Sequence, residues 1–321
     1  MKNVLLTSAG RRVSLLLAFE KAAHKQDGKI FAGDVSPLAP SLFLAEGAFR
    51  LPPLTAPDYV AHLLSLVVTN RVGLVVPTID TELPVLAAHA AHFAEVGSRA
   101  LISSPAFVEL AGDKWLTQQA FGNHGVPGPC SWLPASYAAK ELPDRLFVKP
   151  RTGSSSIDTH RSTPLTLDGV LAMVPDPIVQ EELGGPEITI DALIDFDGKP
   201  LHYVPRTRLR TLAGESILGV TIDDGEIREW LERLINAAAA LGARGPITCQ
   251  AFLTASGPVL IDVNPRFGGG FPLAHAAGGR YPEWILALLR GESVEPRLGE
   301  YERGLYMTRY NTEHFTREPL W

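Results

Sequence analysis

Cysteine is scarce in this chain of 321 residues: Cys130 and Cys249 stand far apart, without metal-ligand spacing around either. That argues against a disulfide framework and a zinc centre, and it suits a reducing cytoplasm. Long apolar runs are missing too. The start, Met1-Lys2-Asn3-Val4-Leu5-Leu6-Thr7, is too short in hydrophobic residues for an export signal, and no run of about 18 apolar residues follows anywhere. An exported or membrane-spanning protein is not expected, and no membrane partner with it. Positive charge is also short: the net charge of -6 gives no global pull toward a polyanion, so nucleic acid is not an expected partner. Neither Gly-x-x-x-x-Gly-Lys-Ser/Thr nor Gly-x-Gly-x-x-Gly occurs where it would count. Their absence disfavours a P-loop NTPase and, despite a βαβ-like start, a dinucleotide oxidoreductase.

What is present is an ordinary globular balance, with 45% hydrophobic and 20% charged residues, in a chain long enough for two or three packed units. Val4-Leu5-Leu6, a helical pattern through Val13, Leu16, Leu17 and Phe19, and Ile30-Phe31-Ala32 give a βαβ rhythm. A helix over Tyr59–Val68 leads into the strand Gly73–Pro77, and one over Glu82–Phe93 leads into Leu101-Ile102. Residues 1–103 thus read as a small doubly wound α/β domain. Ser104-Pro105 then opens two short helices, near 105–111 and 113–124, with Ser104 as N-cap. Residues 104–182 combine these helices with a proline-broken, strand-rich subdomain. Residues 183–321 read as an α+β unit of antiparallel hairpins: 188–196 with 200–204 about a type I′ turn at Asp197-Gly198, and 247–254 with 258–263. An amphipathic helix through Ile227, Trp230, Leu231, Leu234 and Ile235 lies between them.

Four separated features point to one nucleotide. Asp113-Lys114 opens a helix, where the aspartate suits the dipole and the lysine can serve as a phosphate counter-charge; a capped surface helix is the plainer alternative. Phe147-Val148-Lys149-Pro150 runs into Arg151-Thr152-Gly153-Ser154-Ser155-Ser156, a loop whose small residues let backbone N–H groups approach phosphate oxygens while Lys149 aims charge at the same place; an ordinary hairpin loop would look alike. Val179-Gln180-Glu181-Glu182-Leu183 offers backbone groups to an adenine edge, and Glu187 can accept from ribose hydroxyls, although acidic loop residues are often only solvated. Last, alternation puts Asp262 and Asn264 on one strand face with Gln250 on the partner strand, hard oxygen donors of the kind magnesium prefers. Arg266 beyond them suits a phosphoryl group, and Gly268-Gly269-Gly270 permits close backbone approach.

With these features in this order the chain resembles the ATP-grasp superfamily, and within it stand-alone proteins similar to the carbamoyl-phosphate synthase large subunit. Asp262-Val263-Asn264-Pro265-Arg266 is the most specific match, and Leu5–Arg12 and Val76–Leu83 look like the segments preceding the ATP-grasp unit. The resemblance implies a Rossmann-like pre-ATP-grasp domain, a lid around 128–180 and a C-terminal α+β domain, with ATP and Mg²⁺ or Mn²⁺ as cofactors. Lys114, Lys149, Ser154 and Ser155 would contact ATP phosphates, Glu181, Glu182 and Leu183 would line the adenine pocket, and Glu187 would bind ribose. Gln250, Asp262 and Asn264 would hold the metal, with Asp262 standing where the family more often has glutamate. Arg266 and Lys149 would be catalytic.

The implied reaction joins a small-molecule carboxylate to an amine or thiol through an acyl phosphate. Alternatives are a small-molecule kinase of the same fold, told apart by phosphate ending on the product, and a non-catalytic nucleotide-binding protein, told apart by the lack of substrate-dependent ADP release. Arg206, Arg208 and Arg210 alternate on an apparent strand and are expected on one face, as substrate contacts or as a solvated surface. Arg11, Asp80, Glu82, Gly268 and Gly269 are further substrate-contact candidates. The partners expected are small molecules, and a homodimer stays open.

Overall fold

The computed structural model describes residues 3–136, 142–153, 157–212 and 215–321. Ser154 and Ser155 fall outside them. The N-terminal part is a five-stranded parallel sheet of β1 (Asn3–Thr7), β2 (Ile30–Asp34), β3 (Gly47–Arg50), β4 (Val72–Pro77) and β5 (Arg99–Ala100), ordered β3-β2-β1-β4-β5. β1, β2 and β4 are buried on nearly every residue, which is why they read as continuous apolar runs. Helix α1 (Val13–His24) buries Leu15, Leu16, Phe19 and Ala22, and α2 (Tyr59–Thr69) buries Tyr59, Leu63 and Val67.

The expected helix over 82–93 is instead a 3₁₀ turn at 80–82 followed by α3 (Leu83–Ala88) and α4 (Ala90–Glu95). His89 breaks it, at φ −115°, with its Nδ1 2.8 Å from the Val85 carbonyl. The last strand lies at Arg99–Ala100 rather than at Leu101-Ile102, although the Leu101 amide still donates to Val75.

Helix α5 (Pro105–Gly112) is capped by Ser104 Oγ, which accepts from the Phe107 amide at 3.2 Å, and α6 (Lys114–Asn123) by Asp113, which accepts from the amides of Trp115 and Leu116. The lid is a four-stranded antiparallel sheet, β6 (Ser131–Trp132), β9 (Pro177–Glu181), β7 (Leu146–Pro150) and β8 (His160–Ser162) in that spatial order, with α7 (Leu167–Leu171) on it. Its own small core gathers Trp132, Leu146, Val148, Leu167 and Val179.

The C-terminal sheet is six-stranded and antiparallel, ordered β14-β13-β10-β11-β12-β15, from β10 (Glu187–Ile194), β11 (Pro200–Leu212), β12 (Glu215–Thr221), β13 (Gly245–Thr254), β14 (Gly257–Asn264) and β15 (Tyr306–Thr308). Helix α8 (Arg228–Ala240) lays Trp230, Leu231, Leu234 and Ile235 into the main core, the stripe expected from their spacing. Two further helices, α9 (Phe271–Ala276) and α10 (Tyr281–Leu289), join this core to α1.

The β10–β11 connection is not a type I′ turn. That turn needs φ > 0 at both central residues, whereas only Gly198 has it; Asp195 Oδ1 instead accepts from the amides of Asp197 and Lys199 and organises a longer loop. Beyond β15 the chain returns to the N-terminal part. His314 stacks on Phe43 with ring centroids 4.5 Å apart, and the Leu320 amide donates to Pro37. The 307–315 segment thus ties the last sheet to the first. Among the described residues no helix is long and apolar enough to cross a membrane.

Candidate active site

Three pieces of backbone meet at the end of β7. The strand delivers Lys149, and the next residues cross to the start of α6: the Lys114 amide donates to Arg151 O at 3.0 Å, Thr152 bridges to Asp113, and Lys114 Nζ donates to Gly153 O at 2.7 Å. Asp113 also takes both its oxygens to Arg151, with Nε at 2.9 and 2.8 Å and Nη2 at 2.7 Å. Burial would raise the Asp113 pKa, but the Arg151 hydrogen bond and the two helix amides outweigh it and hold the carboxyl below its ordinary value. One aspartate therefore caps a helix and anchors the lid loop, placing the two lysines, 35 residues apart in the sequence, beside each other.

Lys149 is buried, with 8% of its surface exposed. Burial, reinforced by repulsion from Lys114, pulls its pKa down to about 8, while Asp262 and Glu187 pull it back up. Those four side chains come from separate stretches of sequence, and the fold gathers them into one electrostatic neighbourhood.

On the sheet side, Gln250 lies directly opposite Asp262 in the β13–β14 register. Asp262 and Asn264 share a partly exposed face, while Val263 between them is buried at 1% exposure, as two-residue alternation requires. Asn264 Nδ2 donates to Asp262 Oδ2 at 3.0 Å. Gln250 Nε2 donates to Glu187 Oε1 at 2.8 Å, which commits its nitrogen and leaves the amide oxygen as a donor atom for a cation. Glu187 is further paired with Arg208.

Among the described residues no group of three or more His, Cys, Asp or Glu side chains could hold a metal. One carboxylate and two carboxamide oxygens nevertheless fit magnesium, which commonly takes one or two carboxylates and fills its remaining positions with water and substrate phosphates.

The connector from lid to large sheet carries the adenine candidates. Glu181 Oε1 accepts from the Cys130 amide at 2.8 Å, and Glu182 is held by Arg161 at 2.7 Å and Arg145 at 3.1 Å. Leu183 remains half-buried. Gly185, at φ +106°, lies so close to the β13–β14 hairpin that a Cβ there would meet Leu253 O at 2.1 Å.

Several substrate-contact candidates have other roles. Glu82 has no exposed surface: Tyr59 Oη donates to it at 2.6 Å and Ser8 Oγ at 2.9 Å. Burial drives its pKa up against these hydrogen bonds, and it fastens the β1–α1 loop from within. Arg206 is likewise sealed in, 2% exposed and bonded to Asp191 Oδ2 at 2.7 Å. Arg206 and Arg208 keep the expected common face, pairing with Asp191 and Glu187 of β10, but the β11–β12 register shifts between Arg208 and Arg210 and takes Arg210 out of step; exposure rises from buried Arg206 through half-buried Arg208 to exposed Arg210. Asp80 grips Arg266, at 2.8 Å to Nε and 2.6 Å to Nη2. Arg11, Gly268 and Gly269 do converge, in a cavity that Arg12 and Arg309 also line. Arg12 and Arg309 were not anticipated, nor was Asp191; adjacency to Arg11 was the one local signal for Arg12.

Comparison with known proteins agrees with this architecture. A family described as the PylC-like N-terminal domain matches residues 4–101, and one described as ATP-grasp in the biosynthetic pathway with Ter operon matches 173–313. The D-alanine–D-alanine ligase of Corynebacterium urealyticum is 26% identical over 284 residues, covering 76% of this chain and 75% of the relative. That of Mycolicibacterium smegmatis is 27% identical over 278 residues, covering 73% and 74%. The biotin carboxylase domain of the Hydrogenobacter thermophilus 2-oxoglutarate carboxylase, solved with MgADP, ADP and bicarbonate, superposes with a TM-score of 0.78 at 15% identity, over 95% of this chain and 73% of that one. The L-amino acid ligase of Bacillus licheniformis does so at 0.68 and 18%, over 90% and 74%. The parallel N-terminal sheet, the small antiparallel lid and the oxygen-bearing strand β14 thus accompany an ATP-grasp match over residues 173–313, in a chain with the fold of these neighbours and with relatives named as ligases.

Proposed function

We propose that the protein ligates a small-molecule carboxylate to an amine, or to a thiol, through an acyl phosphate, with release of ADP and phosphate. The observation that carries this reading is the neighbourhood of Lys149: a buried ammonium beside Lys114 on one side and beside Asp262 and Glu187 on the other. A lysine whose ammonium form is disfavoured by burial gains most from a polyanion, and a triphosphate with its cation matches both halves of the neighbourhood.

In this reading Lys114 and Lys149 hold ATP phosphates and the Gly153 loop lies over them. Glu181, Glu182 and Leu183 border the adenine, and Glu187, which has acceptor capacity beyond Gln250 and Arg208, takes a ribose hydroxyl. Gln250, Asp262 and Asn264 would hold magnesium, which supplies charge neutralisation on the phosphates when bound.

A substrate carboxylate oxygen attacks the γ-phosphorus, and the bond to the ADP oxygen breaks. Arg266, oriented by Asp80, receives charge on the transferred group. The amine nitrogen then attacks the acyl carbon, phosphate leaves with the carbon–oxygen electron pair, and the amine proton passes to solvent. Arg266, Lys114 and Lys149 supply position and fixed charge, which is most of what phosphoryl transfer asks of a protein. Two relatives carry names of ligases for D-alanine and for L-amino acids, so amino acids are the first carboxylates and amines to try.

The test is a screen of such pairs for ADP and free phosphate, with Asp262→Ala as control. Magnesium-dependent ADP release that requires both substrates and disappears in the variant is expected. Phosphate retained on the product would make the protein a kinase, and no nucleotide binding at all would remove the catalytic reading.

A further inference from the structure

The polar face of the C-terminal sheet continues beyond the cation donors. Asp262, Gln250, Thr189 and Arg206 stand directly opposite one another in turn across β14, β13, β10 and β11, so their side chains form one row on one face. The other face carries Ile188, Ile190, Cys249 and Ala251, which lie in the main apolar core. Neighbouring strands run about 4.8 Å apart, so Thr189 lies one strand from Gln250 and Arg206 lies two.

The far half of this row is unfinished. Thr189 is 3% exposed and Arg206 2%, yet Thr189 Oγ1 and Arg206 Nη1 have no hydrogen-bond partner among the described residues. A buried polar atom in that condition has given up its hydration without compensation, and such atoms are few in folded proteins. Arg206 cannot turn to find an acceptor. Its Nε is held by Asp191 Oδ2 at 2.7 Å, and Asp191 is held in turn by Thr248 Oγ1, at 3.2 Å to Oδ1, and by Tyr281 Oη, at 3.0 Å to its carbonyl. A fixed N–H and, on the next strand, a hydroxyl that can also donate select an oxygen acceptor. Asp191 already balances the charge of Arg206, so the pair suits a singly charged carboxylate, whereas the more highly charged phosphates have the two lysines and the cation.

Reaching these atoms requires a shift of what lies above them. Gly268 stands on Thr248 and Asp191 and Gly270 on the Arg206 guanidinium, where an added Cβ would come within 2.8 Å of Thr248 Oγ1 and 2.3 Å of Arg206 Cζ. The 268–270 stretch thus covers the deep end of the row without offering Nη1 an acceptor, and three glycines have the backbone freedom to be displaced and to return.

We propose that Thr189 Oγ1 and Arg206 Nη1 form a subsite for one oxygen of the substrate carboxylate, covered by the 268–270 stretch until the carboxylate enters. This rests on the ligase reading above, which puts that carboxylate beside the cation donors. The other carboxylate oxygen is then left to face the phosphate that is transferred.

Thr189→Val tests this, because it removes the hydroxyl and keeps the branched shape. The full chain is titrated calorimetrically with acetate, D-alanine and L-alanine, each with and without Mg-ADP, and its thermal unfolding is recorded. The variant is expected to bind the carboxylate that the unaltered protein binds best about tenfold or more weakly. It should keep Mg-ADP affinity within about twofold and unfold no lower, since the free protein gives that hydroxyl no partner among the described residues. Thr189→Ser should retain the carboxylate affinity. Hydrogen exchange in a peptide spanning 266–272 should change when the carboxylate joins the Mg-ADP complex. Carboxylate affinity unaltered by Thr189→Val, no binding of any of the three carboxylates by protein that holds Mg-ADP, a loss confined to Mg-ADP, or exchange at 266–272 unmoved by a bound carboxylate each overturns the proposal. Thr189-dependent carboxylate binding in protein that binds no nucleotide would remove the ligase reading alone.

Discussion

Asp80 and Arg266, 186 residues apart in sequence, form a two-pronged ion pair across the junction of the N-terminal sheet and strand β14, at 2.8 and 2.6 Å. Arg266 Nη1 also donates to Phe267 O, so the guanidinium is held in place from two sides. Asp80 is thereby a positioning residue. Replacing it with Asn keeps one acceptor and loses the paired geometry. In the ligase assay kcat should fall about tenfold or more while Mg-ADP affinity stays within about twofold, because the nucleotide contacts proposed lie on other residues. An equal loss in nucleotide affinity would show that Asp80 supports the whole cleft and not Arg266.

Lys149 makes nucleotide binding depend on pH in a definite direction. Its pKa in the free protein is held near 8 by burial, and phosphate oxygens favour the ammonium, so binding raises it. Below about pH 7 the proton is already present and binding of ADP without added metal takes none up through this group. Around pH 9 uptake should approach one proton, and affinity should fall by up to about tenfold per pH unit above 8. Calorimetry in buffers of different ionisation enthalpy reads the proton count directly. Lys149→Met should abolish both effects, and an uptake unchanged in that variant would assign the proton elsewhere.

The parts of this site that could be read from sequence are those governed by local periodicity. Asp262 and Asn264 follow the two-residue repeat of a strand, Lys149 ends an apolar run stopped by Pro150, and Ser104-Pro105 and Asp113-Lys114 carry helix-start chemistry. What failed depended on partners far away or on register. Counting by twos keeps Arg206 with Arg208, but it cannot include the shift that takes Arg210 out of step or the core carboxylate at Asp191. Glu82 and Asp80 stood at the right end of the right strand; which one turns inward to Tyr59 and which outward to Arg266 is decided by packing between elements. Arg309 had no local signal, because its significance comes only from β15 returning to the sheet beside β12.

Asp113 performs two tasks that separate substitutions can divide. Asp113→Asn retains an N-cap oxygen and loses the charge pairing with Arg151, whereas Asp113→Ala loses both. The first should cost about 0.5–1 kcal/mol, the value of a partly exposed pair, and the second about 1 kcal/mol more for the cap. A double-mutant cycle with Arg151→Ala, followed by chemical denaturation, should give a coupling of about 0.5–1 kcal/mol. Zero coupling would mean that the lid loop is anchored by its backbone alone, through Arg151 O to the Lys114 amide and Thr152 to Asp113.

Gly270 is fixed by what lies beneath it. A Cβ at this position would stand 2.3 Å from the Cζ of Arg206 and 2.4 Å from its terminal nitrogens. That guanidinium cannot swing aside, because it is 2% exposed and its Nε is tied to Asp191 at 2.7 Å. Thr248 Oγ1 completes the cluster, donating to the other Asp191 oxygen at 3.2 Å. Gly270→Ala must therefore either move the backbone that leads to the arginine cavity or break a buried ion pair and leave its members without partners. Breaking such a pair costs about 3–5 kcal/mol, far more than the usual small gain from replacing a glycine in an unstrained position. Thermal unfolding should drop accordingly, and Gly270→Ala combined with Arg206→Met and Asp191→Ala should recover much of the loss, since the smaller apolar pair makes room for the methyl group without stranding a charge. Failure of that triple variant to recover would show that the backbone at Gly270, not the ion pair beneath it, is what cannot yield.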